Sequence, residues 1–201
     1  MSLREELLGQ PAPPEPRGFT LLVPPDWGRF HANDEGRREL ERILSERFRS
    51  VGRPDLDGQM RSMLRRQWTR LQQVKAFSIY MPVTPTIEGA TPMSVVVAPW
   101  STNGGDFESD VRQRAESAVE RSDTEVGPVY RWQSEQRGEG DLGDAHTRQV
   151  SYVFPFPAPK PRRGMLVRAS ILHPGEEQGG EALTAFTGLA DAIAETFRWR
   201  M

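Results

Sequence analysis

Three consecutive extended segments constrain the fold of this chain more than any other feature. They lie at about 125–136, 146–156 and 164–173, and the loops between them are short and rich in glycine or proline. Strands joined by such loops pair antiparallel, because a parallel pair needs a crossover connection of a dozen or more residues. The sequence therefore predicts a three-strand antiparallel meander.

Two amphipathic helices precede the meander, at about 35–51 and 56–74. Their apolar side chains recur at steps of three and four residues, which places them on one stripe of each helix. The segment from Gly52 to Asp57 interrupts the pattern with glycine and proline. We expect an antiparallel helical hairpin at about 35–74 that lays its stripe on a sheet.

The strands and helices predicted for the rest of the chain indicate its fold class. Further strands are expected at 19–23, 27–30, 77–81 and 93–98, and further helices at 107–121 and 178–199. This order predicts an α+β domain, with an antiparallel sheet of about six strands covered by helices and the helical hairpin inserted. Residues 18–201 would form a single domain. Residues 1–17, which end in a proline-rich run, would form an arm and spacer.

Composition excludes several classes of function. The net charge of −2 argues against general nucleic-acid binding, which requires a concentrated basic surface. The N-terminus has no apolar run of the length a secretory signal needs, and no later stretch is long enough to insert into a membrane. With neither a signal nor a membrane span, a cytoplasmic location is the simplest expectation, and the lack of cysteine agrees with it.

No catalytic or metal-binding motif stands out. His31, His146 and His173 are far apart in the sequence. Small groups of polar residues could in principle form metal, nucleophile or anion sites, but turns and helix caps explain them more simply. These groups are Asp141, Asp144 and His146; His173, Glu176 and Glu177; Ser170 with His173; and the loop 102–106. The sequence predicts no catalytic residue, no metal and no cofactor.

One loop is a candidate for partner binding. Prolines alternate through it and basic residues form its tip, so it would lose little entropy when it binds. A long hairpin loop that avoids edge pairing would have a similar composition. The candidate residues are Pro157, Pro159, Lys160, Pro161, Arg162 and Arg163.

The segment Gly18-Phe-Thr-Leu-Leu-Val-Pro-Pro-Asp-Trp27 resembles the opening strand and turn of PsbP-like domains. The closing helix, with Phe186 and Ile193 and the ending Thr196-Phe-Arg-Trp199, resembles the terminal helix of the same group. That group includes a photosystem II extrinsic protein, Ran-binding import factors and bacterial lipoproteins. The resemblance implies binding of other macromolecules without a shared catalytic site, and it carries over no functional residue. Trp27, Phe197 and Trp199 are expected to pack in the core.

These observations favour a non-enzymatic cytoplasmic module that binds another protein, as a helper of a bacterial secretion or envelope system. Two alternatives remain open. One is an enzyme or small-ligand receptor with a pocket between the helical hairpin and the sheet, lined by Tyr80, Arg131, Tyr152 and Arg168. The other is a structural homodimer that pairs through a sheet edge or the N-terminal arm.

Overall fold

A computed structural model describes residues 15–50, 52–83, 93–137, 146–173 and 176–201, with side chains in the last segment from residue 180. The helices are α1 (Asp34–Ser50), α2 (Asp57–Gln73), α3 (Phe107–Arg114) and α4 (Glu176–Glu195), and a short 3-10 turn (Pro54–Leu56) joins α1 to α2. The strands are β1 (Gly18–Thr20), β2 (Trp27–His31), β3 (Ser78–Pro82), β4 (Met93–Ser101), β5 (Glu120–Thr124), β6 (Gly127–Arg137), β7 (His146–Pro155), β8 (Arg163–His173) and β9 (Arg198–Arg200).

The described strands form two antiparallel sheets. The larger has seven strands in the order β2-β3-β4-β8-β7-β6-β5, and the smaller pairs β1 with β9. The α+β class, the antiparallel sheet and the helical hairpin are confirmed, and β6, β7 and β8 form the expected meander. The main sheet has one strand more than predicted.

Helix α4 covers one face of the main sheet, called here the inner face. Val97, Val150 and Ile171 on the strands are fully buried against it. Leu183 and Ile193 contribute from the helix, and the same cluster contains Trp27 and Phe197. Core packing of Trp27 and Phe197 is thus confirmed.

The opposite, outer face is covered in two places. The hairpin of α1 and α2 packs over β2 and β3, with Leu40, Leu64 and Trp68 buried against Phe30. The indole Nε1 of Trp68 donates a hydrogen bond of 2.7 Å to the carbonyl of Asn33, which ties α2 to the start of α1. Helix α3 packs on a second patch through Phe107 and Val111, and the strand residues of this cluster are Trp100, Tyr130, Trp132 and Val153.

The helix predicted at 107–121 is too long. Helix α3 ends at Arg114, Ala115 adopts an extended conformation, and Glu120–Thr124 becomes strand β5. All five residues of β5 are exposed, so no apolar pattern marks them as a strand. Pairing with β6 through a turn at Gly127, whose φ is 104°, decides their structure.

The two chain ends also differ from the prediction. Only Gly18–Thr20 is a strand, and it pairs with β9 instead of joining the main sheet. Helix α4 ends at Glu195, so Phe197 lies in the connection and Trp199 lies on β9. Stacking of Phe19 on Phe197, with ring centroids 5.8 Å apart, holds the two ends together.

Some predictions fall on residues outside the described segments. The arm at 1–17 is described only from Glu15, and Asp141 and Asp144 lie in an undescribed stretch. The side chains of Glu176 and Glu177 are likewise outside the description. The expected arm and the turn at 138–144 therefore stay predictions.

Candidate functional site: the proline cleft

The proline loop closes the β7–β8 hairpin over residues 156–162. Pro155 and Gly164 are the last paired residues of the two strands. The amide of Phe156 donates 2.9 Å to the carbonyl of Arg163, and the amide of Thr102 donates 2.9 Å to the carbonyl of Arg162. The loop is therefore anchored at its base and along the side facing β4.

Gly164 is required where the loop meets α3. A Cβ at this position would lie 3.0 Å from Cζ of Phe107 and closer still to the carbonyl oxygen of Phe154. The absent side chain lets the Phe107 ring pack directly on the hairpin backbone. Phe107 in turn contacts Tyr130, with ring centroids 6.0 Å apart. Gly164, near the start of β8, thus allows the rings of Phe107 and Tyr130 to form an aromatic wall beside the loop.

A cavity of about 450 Å³ lies between the loop, the start of α3 and the β5–β6 turn. We call it the proline cleft. Prolines from two strands and the loop form its walls, together with aromatic rings and a few charged side chains at the rim. Its lining includes Phe107, Pro128, Tyr130, Pro155, Phe156, Pro157, Ala158, Pro159, Pro161, Asp106, Glu108, Arg121 and Glu125.

The carboxylates at the rim of the proline cleft are already engaged. Asp106 caps α3 by accepting a 3.0 Å hydrogen bond from the amide of Ser109, and this bond lowers the pKa of Asp106. Glu108 accepts from Nη2 of Arg112 at 2.7 Å. Glu125 lies 3.3 Å from Nη2 of Arg198. These three carboxylates therefore set the charge of the rim, and each already has a hydrogen-bond or ion-pair partner that would compete with proton transfer.

Tyr130 presents its phenol to the same space. Burial raises its pKa, and the nearby charge of Glu108 raises it further. The hydroxyl therefore remains protonated, and it can donate a hydrogen bond either to Glu108 or to a bound group.

The basic residues of the loop take two different positions. Lys160 and Arg162 are exposed at the tip. Arg163 turns back instead: it pairs with Glu15, and its guanidinium lies 5.3 Å from the centre of the Phe156 ring. That ring packs edge-on against Trp199 at 4.9 Å, so Trp199 supports the base of the loop.

The structure thus divides the six candidate loop residues by position. Pro157, Pro159 and Pro161 line the proline cleft, and Lys160 and Arg162 remain available at its edge. The other walls of the cleft, Phe107 and Tyr130 among them, were not identified as site residues. No local signal marks them, because the packing of α3 brings Phe107 to the loop and the pairing of β6 with β7 brings Tyr130 there.

The pocket expected between the helical hairpin and the sheet does not form in the described residues. That contact is filled by apolar side chains, including Met60, Leu64 and Trp68. The four proposed lining residues also separate. Arg131 and Tyr152 bind Asp191 of α4 on the inner face, with Tyr152 donating at 2.6 Å and Nε of Arg131 at 2.7 Å.

Tyr80 and Arg168, the other two residues, lie on opposite faces of the sheet. Tyr80 is buried in the inner-face core, and the guanidinium of Arg29 lies 5.7 Å from its ring centre. Arg168 follows Val167, which is an inner-face core residue, and so points to the outer face. The two side chains cannot share one pocket.

The fold does bring two distant histidines together. His146 and His173 are cross-strand partners, with ring centroids 5.6 Å apart. Nε2 of His173 lies 3.1 Å from Oε2 of Glu135, which also pairs with Arg148. Burial opposes the shift, but hydrogen bonds from Arg148 and His173 hold the pKa of Glu135 below its usual range. No set of three or more ligand side chains arranged for a metal occurs among the described residues.

The other small candidates serve local structure. Asp106 of the loop 102–106 is the cap of α3 described above. Ser170 and His173 are three residues apart on β8 and therefore lie on opposite faces of the sheet. A nucleophile and base cannot meet there.

Comparisons with known proteins give little further information. No family model matches the chain, and no curated protein is significantly similar to it in sequence. Among solved structures, it is similar to LpqN, described as involved in cell envelope biogenesis of Mycobacterium tuberculosis. The identity is 12%, the match covers 96% of this chain and 87% of LpqN, and the TM-score is 0.43. A likeness at this level assigns no function to this chain, and the PsbP-like resemblance stays a prediction.

Within the described residues, no helix combines the length and the apolar character needed to cross a membrane.

Proposed function

We propose that this protein is a non-enzymatic accessory module that binds another protein through the proline cleft and the tip of the proline loop. The observation that carries the proposal is a cavity of about 450 Å³ that is walled by prolines and aromatic rings, has charged side chains at its rim, and is bordered by two exposed cations. Proline restricts the backbone before binding, so little conformational entropy is lost on association.

The chemistry of the cleft indicates the kind of segment it would take. Phe107, Phe156 and the prolines offer apolar contact, and the protonated Tyr130 offers a donor. Lys160 and Arg162 lie outside the cavity, where they would meet negative charge. The partner segment would therefore carry an apolar side chain for the cleft and acidic residues for the tip.

A charge-reversal experiment tests this proposal. The double variant K160E/R162E reverses the tip without touching the hairpin backbone, and the matched control R38E/R65E reverses two exposed arginines on the helical hairpin. Affinity purification from native lysate, with quantitative mass spectrometry, should recover one stoichiometric partner with wild type and control. Recovery should fall about tenfold or more with K160E/R162E.

A second variant tests the cavity itself. Ala158 lines the proline cleft, so Ala158→Trp should fill it and reduce recovery of the same partner. Circular dichroism would confirm that each variant is folded. Equal recovery from all variants, or no stoichiometric partner with wild type, would contradict the proposal.

A further inference from the structure

Arg168 occupies an unusual place for an arginine, the middle of a seven-stranded sheet. On the outer face its cross-strand neighbours are Val96 on β4 and Ser151 on β7. Trp132 on β6 pairs with Ser151 and extends the same row. An arginine is rarely buried in the middle of a sheet unless its charge interacts with another group, because removal of an ion from water is costly.

The guanidinium of Arg168 uses only part of its hydrogen-bonding capacity. Nε donates a 2.9 Å bond to Oγ of Ser151. Within the described segments, neither Nη nitrogen has a hydrogen-bond acceptor, and no carboxylate forms an ion pair with the group. The Nη atoms still reach solvent, since they are not among the buried atoms that lack a partner. The planar fork is thus open to an oxyanion.

The pKa of Arg168 also indicates that its guanidinium is partly buried. Burial lowers it, and the charge of Glu116 acts in the opposite direction. The group is therefore held away from bulk water, where an added negative charge would be stabilised more strongly than at the open surface.

Next to Arg168 runs a row of small polar side chains. The register aligns Ser94, Ser170, Gln149 and Ser134 across β4, β8, β7 and β6. All four are partly exposed on the outer face. Hydroxyl and amide groups of this kind form a floor that can hydrogen-bond a polar ligand.

The far end of this row opens into a cavity of about 540 Å³, which Ser134 and Glu116 both line. Glu116 is exposed and has no ion-pair partner among the described residues. We call the surface from Arg168 along the polar row to Glu116 the polar strip. It carries an open cation at one end and an open carboxylate at the other.

We propose that the polar strip binds a small zwitterion of the amino-acid class, with its carboxylate on Arg168 and its ammonium group toward Glu116. One guanidinium fork matches one carboxylate. A phosphate dianion fits less well, since Glu116 adds a negative charge beside a single cation. A purely apolar acid would leave the hydroxyl and amide floor without partners. The polar strip shares no residue with the proline cleft, so the two proposals can fail separately.

A titration followed by nuclear magnetic resonance tests the inference. The probe is the backbone amide signal of Gln149 in the polar row, which every variant retains, and the side-chain Nε–Hε signal of Arg168 is a second reporter wherever that residue is present. The ligands are glycine, β-alanine and 4-aminobutyrate, each compared with the acid of the same length without the amine: acetate, propionate and butyrate. Inorganic phosphate is the third arm, and ionic strength is held constant. At least one amino acid should shift the signal saturably, and bind about fivefold more tightly than its matched acid.

Three variants locate the effect. R168M should weaken binding about tenfold or more, as expected for loss of a hydrogen bond to a charged group. E116Q should abolish the preference for the amine, and the plain acid should bind somewhat more tightly because a negative charge near Arg168 is removed. The control R38M, at an exposed arginine on α1, should bind as wild type does.

R168M replaces a partly buried ion with an apolar chain, so it should fold. If it does not, R168K carries the test, because lysine keeps the charge and lacks the planar fork. Tighter binding of phosphate, equal binding of acids with and without the amine, or saturable binding that survives at Arg168 variants would overturn the proposal. Absence of a saturable shift with every amino acid would do the same.

Discussion

Replacement of Asp191 by alanine should weaken the attachment of α4 to the inner face of the sheet. Asp191 accepts from the hydroxyl of Tyr152 at 2.6 Å and from Nε and Nη2 of Arg131 at 2.7 and 3.3 Å. These bonds connect α4 with β6 and β7. Tyr152 is only 4% exposed, so its hydroxyl relies on Asp191 as its acceptor in the folded protein.

The expected cost follows from the exposure of each partner. A hydrogen bond from a buried hydroxyl to a charged acceptor contributes about 1.5–3 kcal/mol. The ion pair contributes less, about 0.5–1 kcal/mol, because the Asp191 side chain is 36% exposed. Arg131 also keeps Glu120 at 3.3 Å. Asp191→Ala should therefore lower the free energy of unfolding by about 2–4 kcal/mol.

Urea denaturation followed by tryptophan fluorescence measures this change, and a thermal scan should show Tm lower by roughly 4–15 °C for a domain of this size. The matched control is Asp123→Ala, which removes an exposed pair with Arg121 and should cost less than about 0.5 kcal/mol. A double-mutant cycle with Tyr152→Phe should give a coupling energy of at least about 1 kcal/mol.

Two outcomes would refute this reasoning. One is a cost for Asp191→Ala no larger than that for Asp123→Ala. The other is additive behaviour of Asp191→Ala and Tyr152→Phe within about 0.5 kcal/mol, which would show that the two side chains do not act as a unit.

Three further changes have clear expected outcomes. Gly164→Ala should lower the free energy of unfolding, measured by urea denaturation, by about 1–3 kcal/mol because its Cβ clashes with the carbonyl oxygen of Phe154 and meets the ring of Phe107. Gly180→Ala, with open space around it, should stabilise the protein by about 0.5–1 kcal/mol, and equal effects of the two changes would contradict this. Because the pKa of Glu135 is lowered on folding, Glu135→Gln should cost under about 1 kcal/mol at pH 7. This cost should begin to shrink near the unfolded value of about 4.3 and should disappear as the pH falls through the lowered pKa of the folded state. A cost that persists in acid would argue against the ion pairs. Burial raises the pKa of Tyr152, so the stability that its protonated hydroxyl contributes is present below the unfolded value of about 10 and is lost as the pH rises above it. Tyr152→Phe should therefore reduce the fall in the free energy of unfolding at alkaline pH. The same dependence on pH in wild type and variant would contradict this.

Local patterns predicted those parts of the fold whose residues are either amphipathic or joined by distinctive turns. The hairpin of α1 and α2 matched its predicted range closely, because its apolar stripe and its glycine–proline break are both local signals. The same holds for β7 and β8, which alternate or run apolar and are closed by prolines. Strand β5 had no such signal, because all its residues are polar and exposed and only its pairing with β6 defines it.

The candidate sites also combine features that are local in the sequence with features that arise only in the folded chain. From the sequence alone, the proline loop was recognisable as a stiff basic segment, because proline and charge are local properties. Only the tertiary structure placed Phe107 and Tyr130 behind that loop, joined His146 to His173, and brought Arg168 and Glu116 near enough for their charges to interact. Strand register and the pairing of distant segments set the face on which each side chain lies, and a shift of one residue would move every one of them to the other side of the sheet.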